Sequence, residues 1–118
     1  MNEVKYDIEK SVEDKIKKIA RHYGYDAQSR QCIEEMAELT QAINKFWRKH
    51  LKCGKNPLSN VPFGTREEIN IKEELIDVYI MVLQMKDLII ISDSYFEEKV
   101  KEKLDRQLRR MEEKSCRE

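Results

Sequence analysis

Apolar residues recur at helical spacing along nearly the whole chain, and glycines divide the first half of this pattern into two segments. The first segment runs from about residue 4 or 8 to His22, and Gly24 suits its C-terminal cap. The second begins near residue 26 or 29 and runs to about residue 52, just before Gly54. The spacing therefore predicts two helices ahead of the glycine- and proline-containing stretch at 53–65.

Two more helices are predicted after that stretch. Thr65 followed by Glu68 is a capping box, which favours a third helix that starts after Thr65 and continues to about residue 90. The Ser-Asp-Ser sequence at 92–94 supplies N-cap residues for a fourth helix that reaches nearly to the end. Since no segment reads convincingly as a strand, the sequence predicts one all-α domain spanning residues 1–118.

The third predicted helix indicates that the protein assembles into an oligomer. From Leu75 to Met85 the sequence LIDVYIMVLQM is apolar almost all round, as in a helix that several neighbours cover. Three short amphipathic partners in the same chain can hardly cover it. We therefore expect a four-to-five-helix bundle that is completed by assembly into a homodimer or homotetramer.

The composition argues against several classes of protein. The 118 residues include 23 basic and 23 acidic side chains, and a net charge of zero argues against a general nucleic-acid binder. The three cysteines lack paired spacing, which indicates reduced thiols rather than a zinc site or disulfides. No signal peptide is recognisable and no apolar run reaches membrane-spanning length, so we expect a cytoplasmic protein without a membrane partner.

Two of the predicted helices carry acidic pairs beside their apolar faces. On the second helix Glu35 lies on the flank of the apolar stripe and Glu38 one step further round, whereas Glu34 points away. On the third helix Glu74 heads an apolar stripe and Asp77 lies next to it. Because residues three apart share a helix face, antiparallel packing of these helices would bring four carboxylates together.

Four ionised carboxylates at the edge of a core repel one another unless a cation compensates them. Ligands that are all oxygen favour Mg²⁺, or Mn²⁺, over zinc, so the two pairs predict a site for a divalent cation. The alternative is a set of surface ion pairs, for which Lys45, Arg48 and Lys72 are possible partners.

These residues resemble a known family. EEMAEL at 34–39 followed by EELIDV at 73–78 is similar to the EExxE … ExxD signature of the all-α nucleoside triphosphate pyrophosphatases, and more narrowly to the MazG-like branch. YGYDAQSRQCIEEMAELTQAI, at 23–43, resembles the opening helices of that branch. The resemblance covers roughly residues 12 to 111. It departs from the family in a longer separation between the two half-motifs, and the excess lies in the 53–65 stretch.

The resemblance implies a helical enzyme that hydrolyses a nucleoside triphosphate between its α- and β-phosphates, with Mg²⁺, and that assembles as a dimer or tetramer. The family's metal-holding acids carry over to Glu35, Glu38, Glu74 and Asp77. A motif carboxylate with a free outer oxygen could act as general base, and the candidates are Glu34 and Glu35. Nucleotide-pool house-cleaning is the expected role.

Contacts to the substrate are predicted less directly. The fourth helix carries an apolar stripe (Phe96, Val100, Leu104, Leu108 and Met111). Four cations run along the edge of this stripe and could bind phosphates, as the family's last helix does: Lys99, Lys103, Arg106 and Arg110. The alternative for that row is a solvated basic face. Trp47 and Asn44 are candidates for reading the base, although a tryptophan at helical spacing is more often a core residue.

Two functions of other classes remain open. The first is a non-catalytic helical dimer, an adaptor or regulator whose acids form salt bridges. The second is a nucleic-acid binder that uses a basic helix with Lys103, Arg106, Arg109 and Arg110, which the zero net charge disfavours. Dependence on Mg²⁺ separates the enzyme from the adaptor.

Overall fold

The computed structural model describes residues 2–51 and 64–117, with side chains described for 9–51 and 64–115. Within these ranges the chain forms three α-helices, α1 (Asn2–Phe46), α2 (Arg66–Leu88) and α3 (Asp93–Arg117). A π-helical turn, Trp47–Leu51, follows α1 directly. The described residues contain no strand, which confirms the all-α prediction.

The sequence predicts four helices, and the structure has three because the first two are joined directly at a kink. Gly24 adopts φ 84° and ψ 171°, so it breaks the helical geometry where the sequence placed a helix end. However, helix resumes immediately after it, and the two predicted helices become one kinked α1. Only glycine adopts this region of backbone conformation at low cost, which explains why the kink falls at this residue.

Helix α2 packs antiparallel against α1. Three polar contacts mark the register from the C-terminal to the N-terminal end of α2: Arg21 with Asp87 at 3.0 Å, Gln28 with Gln84 at 2.6 Å, and Lys49 with Glu67 at 2.7 Å. Since the first contact precedes the kink and the second follows it, both arms of α1 contact α2. The antiparallel packing that would bring the two acidic pairs together is therefore present.

The starts of α2 and α3 are capped as the sequence predicts. The backbone N–H of Glu68 donates to Thr65 Oγ1 at 3.1 Å, and that of Tyr95 donates to Ser92 Oγ at 3.2 Å. The second half of the predicted capping box differs, because the Glu68 carboxylate accepts from the backbone N–H of Gly64. Local hydrogen bonding thus explains both helix starts.

The end of α2 is a Schellman motif with an unusual residue. The backbone N–H of Ile91 donates to the Lys86 carbonyl at 3.0 Å, and that of Ile90 donates to the Asp87 carbonyl at 3.1 Å. This pattern places Ile90 at φ 62°, in the left-handed region that glycine normally occupies at this position. A β-branched residue there is strained.

The buried core is small and lies between α1 and α2. Its apolar members among the described residues are Ile16, Ala20, Cys32, Phe46 and Met81. The predicted apolar stripe of α3 is not part of this core, because Val100, Leu104, Leu108 and Met111 are exposed. None of the described helices carries an apolar stretch long enough to cross a membrane.

Candidate metal centre

The two acidic pairs meet across the α1–α2 interface. Glu35 from α1 and Glu74 and Asp77 from α2 each place a carboxylate oxygen within 4.8 Å of the others. Glu35 and Glu74 are half-buried, and Asp77 is exposed at the margin. Antiparallel packing creates this cluster, because it sets the second arm of α1 against the middle of α2.

The hydrogen bonds of the cluster are incomplete. Gln31, one turn before Glu35 on α1, donates from Nε2 to Glu35 Oε1 at 2.9 Å. The other oxygen, Oε2, is buried and accepts no hydrogen bond from any described residue, and the same holds for Glu74 Oε2. A buried carboxylate oxygen without a donor is unfavourable, and the cluster holds two of them.

Glu38 lies at the edge of the cluster, and the negative charge of the cluster shifts its pKa. The carboxylate of Glu35, then that of Glu74, raises the pKa of Glu38 above its ordinary value, with smaller contributions from burial and Glu34. The Glu38 carboxyl is therefore close enough to Glu35 and Glu74 for their charges to act on it. Accumulated negative charge is therefore a property of this site.

No cation among the described residues forms an ion pair with the four acids. Lys72, which was a possible partner, instead binds Glu68 at 2.6 Å. Lys45 and Arg48 make no described ion pair at all. In the described part of the chain, the salt-bridge explanation of the acidic pairs has no contact that supports it.

The donor set suits a hard divalent cation. Two oxygens on opposite sides of one Mg²⁺ stand about 4 Å apart, and the separation of at most 4.8 Å between the oxygens of Glu35, Glu74 and Asp77 is close to that spacing. The two buried oxygens without donors would then have a partner. Oxygen ligands without histidine or cysteine favour Mg²⁺ or Mn²⁺ over zinc.

The remaining predicted residues lie away from the cluster or beside it. Glu34 is exposed on the turn of α1 that carries Glu35. Asn44 is exposed further along α1, and Trp47 begins the π-helical turn with 51% of its surface exposed, so it is not a core residue. The stretch 53–65 lies almost wholly outside the described residues, which resume at Gly64.

The predicted phosphate-binding cations are not close to the acids of their own chain. Lys99, Lys103, Arg106 and Arg110 lie along α3, and no Cα atom of α3 lies within 8 Å of one in α1 or α2. Lys99 binds Glu102 at 3.2 Å. Within a single chain, the structure does not bring the basic row and the acidic cluster together.

Sequence reasoning missed the polar residues that support the site. Gln31, which holds Glu35, was a recognisable candidate because it precedes Glu35 by four positions. The buried Gln28–Gln84 hydrogen bond lies further along the same interface. Gln84 had a signal as well, since it is one of only two polar residues, with Asp77, in the apolar run 75–85.

The chain matches no family model, no curated protein and no solved structure.

Proposed function

We propose that this protein is a Mg²⁺-dependent nucleoside triphosphate pyrophosphohydrolase that cleaves between the α- and β-phosphates. The observation that carries the proposal is the pair of buried oxygens, Glu35 Oε2 and Glu74 Oε2, that accept no hydrogen bond from a described residue. A divalent cation is the partner that satisfies such oxygens and compensates the charge around them. Motif similarity to the MazG-like pyrophosphatases supplies the substrate class.

Glu35, Glu38, Glu74 and Asp77 would hold the ion, with Mn²⁺ as a possible substitute. Bound Mg²⁺ supplies charge neutralisation on the phosphates during attack at phosphorus. Gln31 donates to Oε1 of Glu35 and would thereby fix the orientation of that carboxylate. A hydrogen bond to a metal-binding side chain fixes the orientation in which that side chain meets the metal, so Gln31 belongs to the proposed site.

In the proposed reaction a water oxygen attacks the α-phosphorus, and the bond from that phosphorus to the bridging oxygen of the β-phosphate breaks. The leaving group is pyrophosphate and the other product is the monophosphate. The proton of the water would pass to a carboxylate, for which exposed Glu34 and half-buried Glu35 are the candidates. Cations of α3 bind the phosphates, and Trp47 with Asn44 contacts the base.

The proposal includes a homodimer or homotetramer with a nucleotide-pool role in the cytoplasm. Assembly is supported by the small core and by the exposed apolar faces of α2 and α3. A non-catalytic adaptor is the competing function. It requires the acids to be neutralised by basic side chains, and the described residues give no such pair for Glu35, Glu38, Glu74 or Asp77.

Product analysis tests the proposal. The protein is incubated with ribo-, deoxyribo- and modified nucleoside triphosphates, with Mg²⁺ or with EDTA, beside Glu74→Gln and the matched surface variant Glu73→Gln. We expect monophosphate and pyrophosphate with Mg²⁺ only, loss of turnover in Glu74→Gln, and full turnover in Glu73→Gln. Diphosphate and phosphate as products would overturn the α–β cleavage. No turnover, together with no effect of Mg²⁺ on melting, would favour the adaptor.

A further inference from the structure

The α3 helix projects from the rest of the chain. Its first turn is held at the end of α2, where Lys86 binds Asp93 and lies 4.8 Å from the centre of the Phe96 ring. Beyond that turn no described Cα atom of α3 comes within 8 Å of one in α1 or α2, and residues 100–115 are all exposed. A helix of this length with no covered face is marginal in water, so its apolar stripe requires a partner.

The chain also exposes more surface than a compact protein of its size. Its solvent-accessible area is 10161 Å², whereas a compact monomer of 14.2 kDa exposes about 6,800 Å². Its radius of gyration is 18.3 Å, against about 13 to 14 Å for a compact chain of this length. Packing of α3 against its own chain would bring both values towards those of a compact monomer.

On α1 an exposed apolar row lies on the side opposite the acids. At 100° per residue, Ile33, Met36 and Ile43 lie to one side of the residues that contact α2, whereas Glu35 and Glu38 lie to the other. These three apolar side chains are between 43% and 53% exposed, so nothing in the described part of the chain covers them.

The second helix has the same arrangement. Leu75, Tyr79 and Val82 are exposed and lie across the α1 contact from Asp77. Because α1 and α2 are antiparallel, their acidic sides fall together, as the carboxylate cluster shows, and their apolar rows fall together on the opposite side. These two rows, which we call the apolar side of the pair, can be covered by one further helix.

We propose that α3 closes onto the apolar side of its own α1–α2 pair and completes a three-helix bundle, for which the projecting arrangement is the open form. The link of four residues, 89–92, is short enough to hold α3 at an effective concentration of about 1 mM or more. Its own α3 is therefore favoured as the occupant over a helix of another molecule. This proposal concerns the packing of one chain and does not depend on the proposed function.

The register of α3 against α2 agrees with closure. Asp93 and Lys86 bind each other, so positions along both helices can be counted from them. Three apolar residues of α3 then have counterparts on α2 at the same distances, about 10, 16 and 22 Å at 1.5 Å per residue: Val100 with Tyr79, Leu104 with Leu75, and Leu108 with Ile71.

The link contains a residue that can act as a hinge. Ile90 has a φ of 62° and is 88% exposed, which is unfavourable in two respects. This conformation belongs to the Schellman motif that ends α2 and precedes the divergence of α3. Rotation of Ile90 to a negative φ would release the backbone strain and redirect α3 without altering either helix.

Closure has two consequences for the other surfaces of the chain. The basic row of α3 comes to lie on the side away from Glu73 and Asp77, so a closed α3 does not bring its cations to the acids of its own chain. Ile69, Ile76 and Ile80 lie on a part of α2 that faces neither α1 nor the closed α3. Closure therefore leaves an apolar surface for assembly.

An engineered disulfide tests the closed form. Leu75→Cys/Leu104→Cys is prepared with Cys53→Ser and Cys116→Ser, and its thiols are oxidised with diamide. We expect the disulfide to form at least about tenfold faster than in Leu75→Cys/Glu102→Cys with the same serine changes. Glu102 is the matched control, because it lies at nearly the same distance along the chain but on the opposite side of α3 from the stripe. Equal rates in the two proteins would overturn the proposal.

Isotope labels show whether the two cysteines belong to one chain. Equal amounts of ¹⁴N- and ¹⁵N-labelled Leu75→Cys/Leu104→Cys protein are unfolded, refolded together and then oxidised. We expect each pair of linked peptides to carry a single label, because closure joins two helices of the same chain. If about half of the linked pairs carry both labels, the apolar side is covered by another copy and the proposal is wrong.

Amide hydrogen exchange tests closure with the natural cysteines in place. We expect the amides of residues 97–112 to be protected in the natural protein and to exchange at least about tenfold faster in Leu104→Glu. Leu104 is exposed in the open form, so this substitution removes no contact between α1 and α2. Arg109→Gln, outside the stripe and with the same change in charge, should keep the natural protection. Equally fast exchange in the natural protein and Leu104→Glu would show that α3 stays open.

Discussion

Glu35 and Glu74 stand on different helices with carboxylate oxygens within 4.8 Å, and each keeps one buried oxygen without a hydrogen-bond donor among the described residues. Two like charges in this arrangement destabilise the protein without a cation. Replacing one carboxylate by its isosteric amide removes a charge and supplies an N–H that can donate to the other. We therefore predict that this site lowers the stability of the metal-free protein and that a bound divalent cation offsets the loss.

For Glu74→Gln we therefore expect a metal-free protein that is more stable than the natural one by about 1 kcal/mol. We also expect Mg²⁺ to raise the melting temperature of the natural protein and of Glu73→Gln, but not that of Glu74→Gln, since binding to the folded state stabilises it. Thermal melts with and without Mg²⁺ measure both effects. An unchanged Mg²⁺ response in Glu74→Gln would remove this residue from the ligand set.

The buried amide pair Gln28–Gln84 should show strong coupling. Gln84→Leu leaves the Gln28 amide buried without its partner and should destabilise the protein by about 1 to 3 kcal/mol. The double variant Gln28→Leu/Gln84→Leu should recover most of this loss, because no polar group is then left unpaired. Urea unfolding of the four proteins of the cycle measures the coupling. Additive effects of the two substitutions would show that the pair is not a unit.

Glu67 should make the protein sensitive to acid. The hydrogen bond from Lys49, followed by its own backbone N–H and His50, lowers the pKa of Glu67 from its usual 4.5 to about 2. Because the folded-state pKa is depressed, this contribution to stability is complete above pH 4.5 and is lost as the pH falls from 4.5 towards 2.

We therefore expect the melting temperature of Glu67→Gln to fall less steeply than that of the natural protein over this acidic range. Glu97→Gln on α3 is the control, since Glu97 has no described ion pair, and it should follow the natural curve. Melts at a series of pH values between 7 and about 3 measure the difference. Parallel curves for Glu67→Gln and the natural protein would contradict the pKa shift of Glu67.

The left-handed Ile90 offers a site for stabilisation. Ile90→Gly removes a strained side chain from the position where a Schellman motif favours glycine, and it should stabilise the protein by about 1 kcal/mol. Ile89→Gly is the matched control, because Ile89 has φ −86° in the right-handed region and glycine there should destabilise by about 0.5 to 1 kcal/mol. Urea midpoints compare the two. Equal effects at both positions would show that backbone strain at Ile90 is not the cause.

Local patterns predicted the helices well. Thr65 and Ser92 cap α2 and α3 as expected, because a capping hydroxyl and its backbone donor lie three residues apart and need no tertiary contact. The pattern also placed a break at Gly24. It also predicted helix on both sides of the glycine, and only the direct resumption at residue 25, rather than near 26 or 29, was not anticipated.

The acidic site was partly predictable for a similar reason. Spacing of three placed Glu35 with Glu38 and Glu74 with Asp77 on shared helix faces, and the apolar stripes indicated that those faces meet. The sequence pattern could not show which neighbouring side chains donate hydrogen bonds to these carboxylates. That Gln31 holds Glu35, while Lys72 turns to Glu68 instead of the cluster, depends on the register of α1 against α2.

The sequence by itself determined the helical class, the helix starts and the composition of the acidic cluster, because backbone hydrogen bonding, capping and face periodicity act over a few residues. Tertiary structure alone decided which oxygens are left without donors and that α3 diverges from its own bundle. An apolar stripe specifies that a helix face must be covered, but burial of apolar surface is non-directional, so the stripe does not specify what covers it.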